Sequence, residues 1–175
     1  MESTFKYFGI RSEAFMMSEH DNYINLTRAH LKKYNQYKAA IENLNEDIEA
    51  MQSDIKNDVA APVASYGTNA GRVVRELNAV ESAAEKHLSL SAKIQENKRC
   101  IEAYERILRK IDRAIGELKP DDQFLIKGHF IDRRKWKDLS AEKFYTEKWA
   151  RERSRKAVKA IAFMMFGDMA LITKR

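Results

Sequence analysis

The sequence contains few residues that interrupt helices, with only two prolines and six glycines among 175 residues. Alanine, glutamate, lysine, arginine and leucine, which favour helices, are plentiful. It has no run of about 18 apolar residues, so no membrane-spanning helix is expected. Its N-terminus also lacks the basic-then-apolar layout of a signal peptide. The composition therefore predicts an all-α protein of one domain or two small ones.

Residues that carry catalytic or metal-binding chemistry are also scarce. A single cysteine, Cys100, cannot form an internal disulfide, so a reducing cytoplasm is the expected location. No histidine stands at a metal-ligand spacing from another ligand, and we find neither a nucleophile with its base nor a glycine-rich phosphate loop. Asp121 and Asp122 are interpreted as helix-capping residues, not as an acid–base pair. The sequence predicts no catalytic residue, cofactor or metal, and hence a protein that is not an enzyme.

Positive charge is concentrated in the last third of the chain. Residues 119–175 contain 15 Lys and Arg against 8 Asp and Glu, a net charge of +7. Residues 1–118 contain 17 against 18, a net charge of −1, and the whole chain carries +6. A basic segment beside a neutral one indicates a polyanionic partner for the basic segment.

Apolar side chains between residues 20 and 118 recur every three and four positions, as the a and d positions of heptads do. In a predicted helix 20–57 they are Tyr34, Tyr37, Ile41, Leu44, Ile48, Met51 and Ile55. In a predicted helix 70–118 they are Val73, Leu77, Val80, Ala84, His87, Ile94, Ile101, Tyr104, Leu108, Ile111, Ile115 and Leu118. Residues 1–19 are expected to form a separate N-terminal arm. Two such helices predict a long antiparallel coiled-coil hairpin, 20–118, that recruits further helices from its own chain or from a second copy.

Pro120 should end the second long helix and open a C-terminal domain, 119–175. Short helices are expected near 121–130 and 135–143, followed by a longer one near 146–166. Thr146 is the expected N-cap of this last helix, and Gly167 should end it. Its predicted apolar stripe consists of Ala150, Ala157, Val158, Ile161 and either Phe163 or Met164.

The stretch "LKPDDQFLIKGHFIDRRKWKDLSAEKFYTEKWARERSRKAVKAI", 118–161, resembles region 4 of bacterial sigma-70 factors. It is especially similar to phage transcriptional regulators of the ArpU and RinA type. The matching positions are Leu118, Pro120, Asp121, the "HFI" of 129–131, Trp136, Asp138, Leu139, Ser140, Thr146, Arg151, Lys156, Ala157 and Val158. Family members have a leucine and then a glycine or similar turn residue before the cap. Here the stretch is "KFYT", 143–146, and Phe144 is the expected core residue.

The resemblance implies a small sigma-4-like helix-turn-helix domain whose last helix enters the major groove of DNA. It implies a late-gene activator encoded by a phage or prophage, acting in the cytoplasm of a bacterial host cell. Its partners would be double-stranded DNA, host RNA polymerase and further copies of the chain, with no membrane. The predicted DNA-binding residues are Arg134, Lys135, Lys137, Thr146, Glu147, Lys148, Arg151, Glu152, Arg155 and Lys159.

Other interpretations of the same features remain open. The basic run could be the solvated face of an ordinary helix. The chain could instead be a DNA-packaging component similar to a terminase small subunit, which also joins a helix-turn-helix to helical oligomerisation elements. A third possibility is an adaptor that does not bind DNA and whose coiled coil binds host RNA polymerase.

Overall fold

The computed structural model describes residues 22–59 and 70–170, with side chains described for 22–57 and 81–170. Every secondary-structure element in these ranges is helical, which confirms the all-α prediction. The predicted N-terminal arm and residues 60–69, between the two predicted long helices, lie outside the described residues.

Six α-helices follow one another along the described chain. They are α1 (22–32), α2 (Tyr34–Val59), α3 (Ala70–Gly116), α4 (Pro120–Ile126), α5 (Trp136–Glu142) and α6 (Glu147–Phe166). A π-helical turn, Lys127–Ile131, extends α4, and a 3₁₀ turn, Gly167–Ala170, follows α6. The predicted helix 20–57 is interrupted at Lys33, whose N–H is shared between the carbonyls of Ala29 and His30 at 3.0 and 3.1 Å.

The predicted signals for helix ends explain the observed boundaries in the C-terminal third. Pro120 occupies the first turn of α4, where its missing N–H costs no helical hydrogen bond. Thr146 is the N-cap of α6, and its side-chain oxygen accepts a hydrogen bond from the N–H of Trp149. Gly167 has φ 66°, a left-handed conformation that glycine adopts without strain, and it ends α6 as predicted.

The described chain forms two compact units. The first combines residues 22–37 with 106–170, and the second consists of residues 38–59 and 70–105. Helices α2 and α3 contribute residues to both. The first unit therefore contains α1 and the end of α3, which were predicted to belong to the hairpin, together with the predicted C-terminal domain.

The main core of the first unit is built from α1, α3, the end of α4 and α6. Leu31 of α1 and Ile111 of α3 are fully buried in it, as is Ile126 at the end of α4. Burying an aliphatic side chain of this size contributes roughly 1.5–3 kcal/mol, so these contacts anchor α1 to the C-terminal helices. The remaining buried members are Ile24, Ala114, Ile115, Phe130, Ala157, Val158, Ile161, Ala162, Met165 and Ala170.

A smaller core holds α5 between α4 and α6. Leu125, Leu139 and Ala150 are fully buried in it, and the rings of Phe124 and Trp136 pack around them. Each of the three helices contributes one of the buried residues. This cluster fixes the position of α5 against α6, and with it the geometry of the turn between them.

An ion pair also joins α4 to α6. Asp122 is buried, and Arg153 donates to it from Nε at 2.5 Å and from Nη2 at 3.0 Å. This hydrogen bond raises the pKa of the Arg153 guanidinium. The interpretation of Asp122 as a capping residue is therefore incomplete. The N-cap residue, Lys119, makes no side-chain cap, and Asp122 links two helices.

In the second unit, one face of each helix is shielded from solvent. Ile48 of α2 and Ile94 of α3 are buried. Around Ile48, the predicted positions Ile41, Leu44, Met51 and Ile55 are half-buried. Around Ile94, the less exposed positions of α3 recur in steps of four and three: Ala83, His87, Leu90, Ile94, Asn97, Ile101 and Tyr104. The placement of Ala84 on this face was wrong: Ala84 is exposed, because the repeat passes through Ala83 and Leu90.

Candidate nucleic-acid interface

The buried stripe of α6 determines which of its side chains can reach a partner. Its members lie on one side of the helix, at spacings of three and four residues and in two adjacent pairs: Ala150, Ser154, Ala157, Val158, Ile161, Ala162 and Met165. Four of these were predicted. The choice of Phe163 or Met164 was wrong, because the helical phase buries Met165 and leaves those two side chains exposed.

The opposite face of α6 is exposed and mostly basic. It consists of Glu147, Lys148, Arg151, Glu152, Arg155, Lys156 and Lys159. Five of these side chains are cationic and two are anionic. All six predicted DNA-binding residues within α6 lie on this face. The cations on this face together create a positive potential that attracts a polyanion.

One glutamate of this face is paired within the helix. Glu147 accepts a hydrogen bond from Arg151 Nη2 at 3.1 Å, one turn further along the helix. Both side chains are about half exposed, and exposed pairs with this spacing contribute only about 0.3–0.5 kcal/mol. Arg151 can therefore exchange this partner for another anion at little cost.

The turn between α5 and α6 is tight and bears the predicted cap. The Thr146 oxygen accepts the N–H of Trp149 at 3.2 Å, which leaves the hydroxyl hydrogen free to donate elsewhere. Tyr145 is half-buried, with its ring centroid 4.1 Å from that of Trp149. Its N–H donates to the carbonyl of Ser140 at 2.8 Å. These contacts fix the start of α6 relative to α5.

The expectation that Phe144 is a core residue was wrong. Its side chain is 97% exposed, and its backbone has φ 57°, in the left-handed region. The chain reverses direction here, and a left-handed residue is what such a reversal requires. Phe144 thus occupies the left-handed position of the turn, and its ring points away from the core.

Three predicted contact residues lie before or at the start of α5. Arg134 is ion-paired with Glu142, and its guanidinium also lies over the ring of Phe124, 5.8 Å from the centroid. Lys135 and Lys137 are exposed. Arg134 therefore braces the loop before α5 against the far end of that helix, while the two lysines extend the basic surface.

A cleft of about 200 Å³ borders α6 and contains residues that the sequence analysis missed. Arg151 and Arg155 line one side, and Arg28 and Lys32 of α1 line the other. The remaining lining residues are His129, Phe130, Trp136, Ser154 and Val158. No local pattern connects Arg28 and Lys32 with α6, because they lie more than 100 residues away in the chain.

His129 also lines this cleft, together with the four cations. Its ring stacks on Trp136 with centroids 3.8 Å apart, and Nδ1 lies 3.0 Å from the carbonyl oxygen of Arg134. A carbonyl only accepts hydrogen bonds, so Nδ1 carries the proton, and Nε2 of the neutral ring carries none. Burial, followed by the charges of Lys32, Arg151 and Arg133, lowers the pKa of His129, against the opposing effect of the Arg134 carbonyl.

Comparisons with protein-family models, with curated proteins and with solved structures find no match to this chain. Among the described residues, no three histidine, cysteine or acidic side chains come together in a way that could hold a metal ion. No helix in the described part of the chain combines the length and apolar character needed to cross a membrane.

Proposed function

We propose that this protein is a sequence-specific DNA-binding transcriptional regulator. In this proposal α5, the turn 143–146 and α6 form a helix-turn-helix similar to that of sigma-70 region 4. The exposed face of α6 enters the major groove. The long helices α2 and α3 form a coiled-coil hairpin for self-association or for contact with host RNA polymerase. The regulator would be encoded by a phage or prophage and would activate late genes.

One observation carries the proposal: the exposed face of α6 presents five cations, while its opposite face is packed into the core. Cations on a rigid helix can neutralise DNA phosphates. An arginine that reaches the O6 and N7 atoms of guanine adds base preference. The capped start of α6 and the left-handed residue in the preceding turn are further features expected of a helix-turn-helix.

The assignment of α6 is tested by fluorescence anisotropy with labelled duplex DNA. The Arg151→Ala, Arg155→Ala double variant should bind more weakly by about 1–3 kcal/mol for each of the two arginines that contacts the DNA. The matched control is Arg99→Ala with Arg106→Ala, which removes two exposed cations from α3. Equal affinity of the two double variants would show that α6 does not carry the interface.

The proposed role of α2 and α3 is tested separately by sedimentation equilibrium. Their shielded faces contain only two buried side chains in the second unit, Ile48 and Ile94, among the residues whose side chains are described. A pair of helices has a narrow core, so we expect a second copy to pack on this seam. A dimer that stimulates transcription from its bound promoter supports the proposal. A ring of many copies would favour the packaging component instead.

A further inference from the structure

The cleft beside α6 gathers cations from two helices that are remote in sequence. Arg28 and Lys32 are four residues apart on α1, and Arg151 and Arg155 are four residues apart on α6. Each pair therefore lies on one side of its helix, and the two pairs face the same cleft. No carboxylate is among the described residues that line it.

Packing places the α1 cations at this cleft. Thr27 and Leu31 are fully buried, and Arg28 and Lys32 each follow one of them in the chain. This phase of the helix puts the two cations at the edge of the buried stripe. Because α1 is anchored through its core side, they are brought to the cleft before any ligand arrives, which reduces the entropic cost of binding.

The segment before α5 also makes hydrogen bonds to the end of α1. The Arg133 guanidinium donates to the carbonyl of Lys32, at the end of α1. A cation at this position also interacts favourably with the negative end of the helix dipole. Just beyond, Asn35 Nδ2 donates to the carbonyl of Ile131 at 3.2 Å. The two contacts tie the end of α1 to the segment that carries His129.

The charges in the cleft are poorly compensated. Within the described part of the chain, neither the side chain of Lys32 nor that of Arg155 has a hydrogen-bond or ion-pair partner. Arg28 donates from Nη1 to a neutral oxygen of Asn25 at 3.0 Å, and Arg151 pairs with the exposed Glu147. Four cations around one small volume repel one another, so a bound anion would relieve this repulsion.

We propose that this cleft binds one phosphate group, and that in the complex required by the proposed function this phosphate belongs to the DNA backbone. The cleft, at about 200 Å³, has room for a group of the size of phosphate. The arginines offer paired donors that suit phosphate oxygens. Helix α1, outside the helix-turn-helix, thereby fixes the register of α6 on the duplex.

The first test compares the salt dependence of duplex binding in two double variants. Arg28→Gln with Lys32→Gln removes the α1 side of the cleft, and Lys33→Gln with Arg99→Gln removes two exposed cations outside it. The cleft variant should bind about tenfold more weakly, and its plot of log affinity against log salt should be shallower by about 0.9. The control should match the wild type.

The second test measures the anion directly by following the His129 ring resonances in NMR during titration with sulfate. Sulfate keeps its charge across the pH range in which histidine titrates. An anion in the cleft should raise the pKa of His129, because it offsets the charges of Arg28, Lys32, Arg133, Arg151 and Arg155. The Arg28→Gln, Lys32→Gln variant should show a much smaller change, and the control variant should respond as the wild type does.

The outcomes separate this inference from the proposed function. Suppose that the wild type binds duplex DNA and that the cleft and control variants have the same affinity and salt slope. The proposed phosphate site in the cleft is then wrong, and the DNA-binding proposal stands. If the wild type binds no duplex DNA but sulfate raises the pKa of His129 only when Arg28 and Lys32 are present, the cleft is an anion site and its ligand is a free anion. If the wild type binds no duplex DNA and sulfate leaves the pKa of His129 unchanged, both the DNA-binding proposal and the phosphate site are wrong.

Discussion

Gly128 lies so close to Leu139 that a Cβ atom on Gly128 would stand 2.5 Å from Leu139 Cδ2. Leu139 is fully buried and packs with Leu125 of α4 and Ala150 of α6, so turning it aside would disturb this cluster. The glycine in the π-helical turn is therefore what allows α5 to approach this closely. This approach, in turn, sets where the turn 143–146 presents α6.

Gly128→Ala should destabilise the fold by about 1–3 kcal/mol, the usual cost of forcing extra atoms into a packed core. The matched control is Gly116→Ala, where a new Cβ meets nothing within 4 Å. That change should be neutral or stabilising by up to about 1 kcal/mol, because alanine is the better helix former. Urea denaturation measures both. Equal stability of the two variants would contradict the packing described for α5.

Asp122→Asn should lower the Tm by about 5 °C, because it removes the charge that Arg153 pairs with between α4 and α6. The control is Glu147→Gln, which removes the acid of an exposed pair within α6 and should change the Tm by no more than about 1 °C. Differential scanning calorimetry distinguishes the two. A Tm as little affected by Asp122→Asn as by the control would show that the helix-linking pair does not stabilise the fold.

Phe144→Asn should stabilise the protein by about 0.5–1 kcal/mol. A left-handed backbone costs most residues about 1–2 kcal/mol, asparagine tolerates it better, and the exposed ring loses no packing. Phe144→Val should destabilise, since a β-branched residue fits this conformation poorly. Chemical denaturation of the two variants is the measurement. A less stable Asn variant would mean that the ring makes a stabilising contact.

Folding stability should decrease as the medium becomes acidic. Burial lowers the pKa of His129, as it does for His30, whose pKa the charge of Lys33 lowers further. Between these lowered values and the ordinary pKa of about 6.5, the unfolded chain binds more protons than the folded one. Stability is therefore complete above about pH 6.5 and declines as the pH falls through the folded-state values.

This dependence is checked by urea denaturation at pH 7.5 and pH 5. The loss of stability between the two should be smaller in His129→Gln than in the wild type, and smaller again when His30→Gln is added. Identical losses in all three proteins would show that these imidazoles are not held neutral by the fold.

The helices could be predicted from the sequence because their ends depend on local chemistry. Pro120, Thr146 and Gly167 act through the backbone of their own turn, so their positions are visible without the fold. The basic face of α6 follows equally from the phase of its apolar stripe. The prediction for Ala84 was wrong because Ala83 and Ala84 are both small enough for the shielded face of α3. The half-buried Leu90 is the residue that places Ala83, and not Ala84, in the repeat.

The cleft could not be predicted, because it depends on contacts between distant segments. Arg28 and Lys32 look like ordinary solvated cations in the sequence, and only the packing of Leu31 against the C-terminal helices brings them to Arg151 and Arg155. Phe144 was misjudged for a related reason. A phenylalanine is normally buried, and here the geometry of the turn overrides that preference.

The most direct test of DNA reading by α6 is selection of bound duplexes from a random oligonucleotide pool at physiological salt. The wild type should enrich one short sequence over successive rounds, and the Arg151→Ala, Arg155→Ala variant should fail to enrich it while the Arg99→Ala, Arg106→Ala control succeeds. A wild-type pool that stays random, or the same sequence enriched by all three proteins, would contradict a regulator that reads DNA through α6.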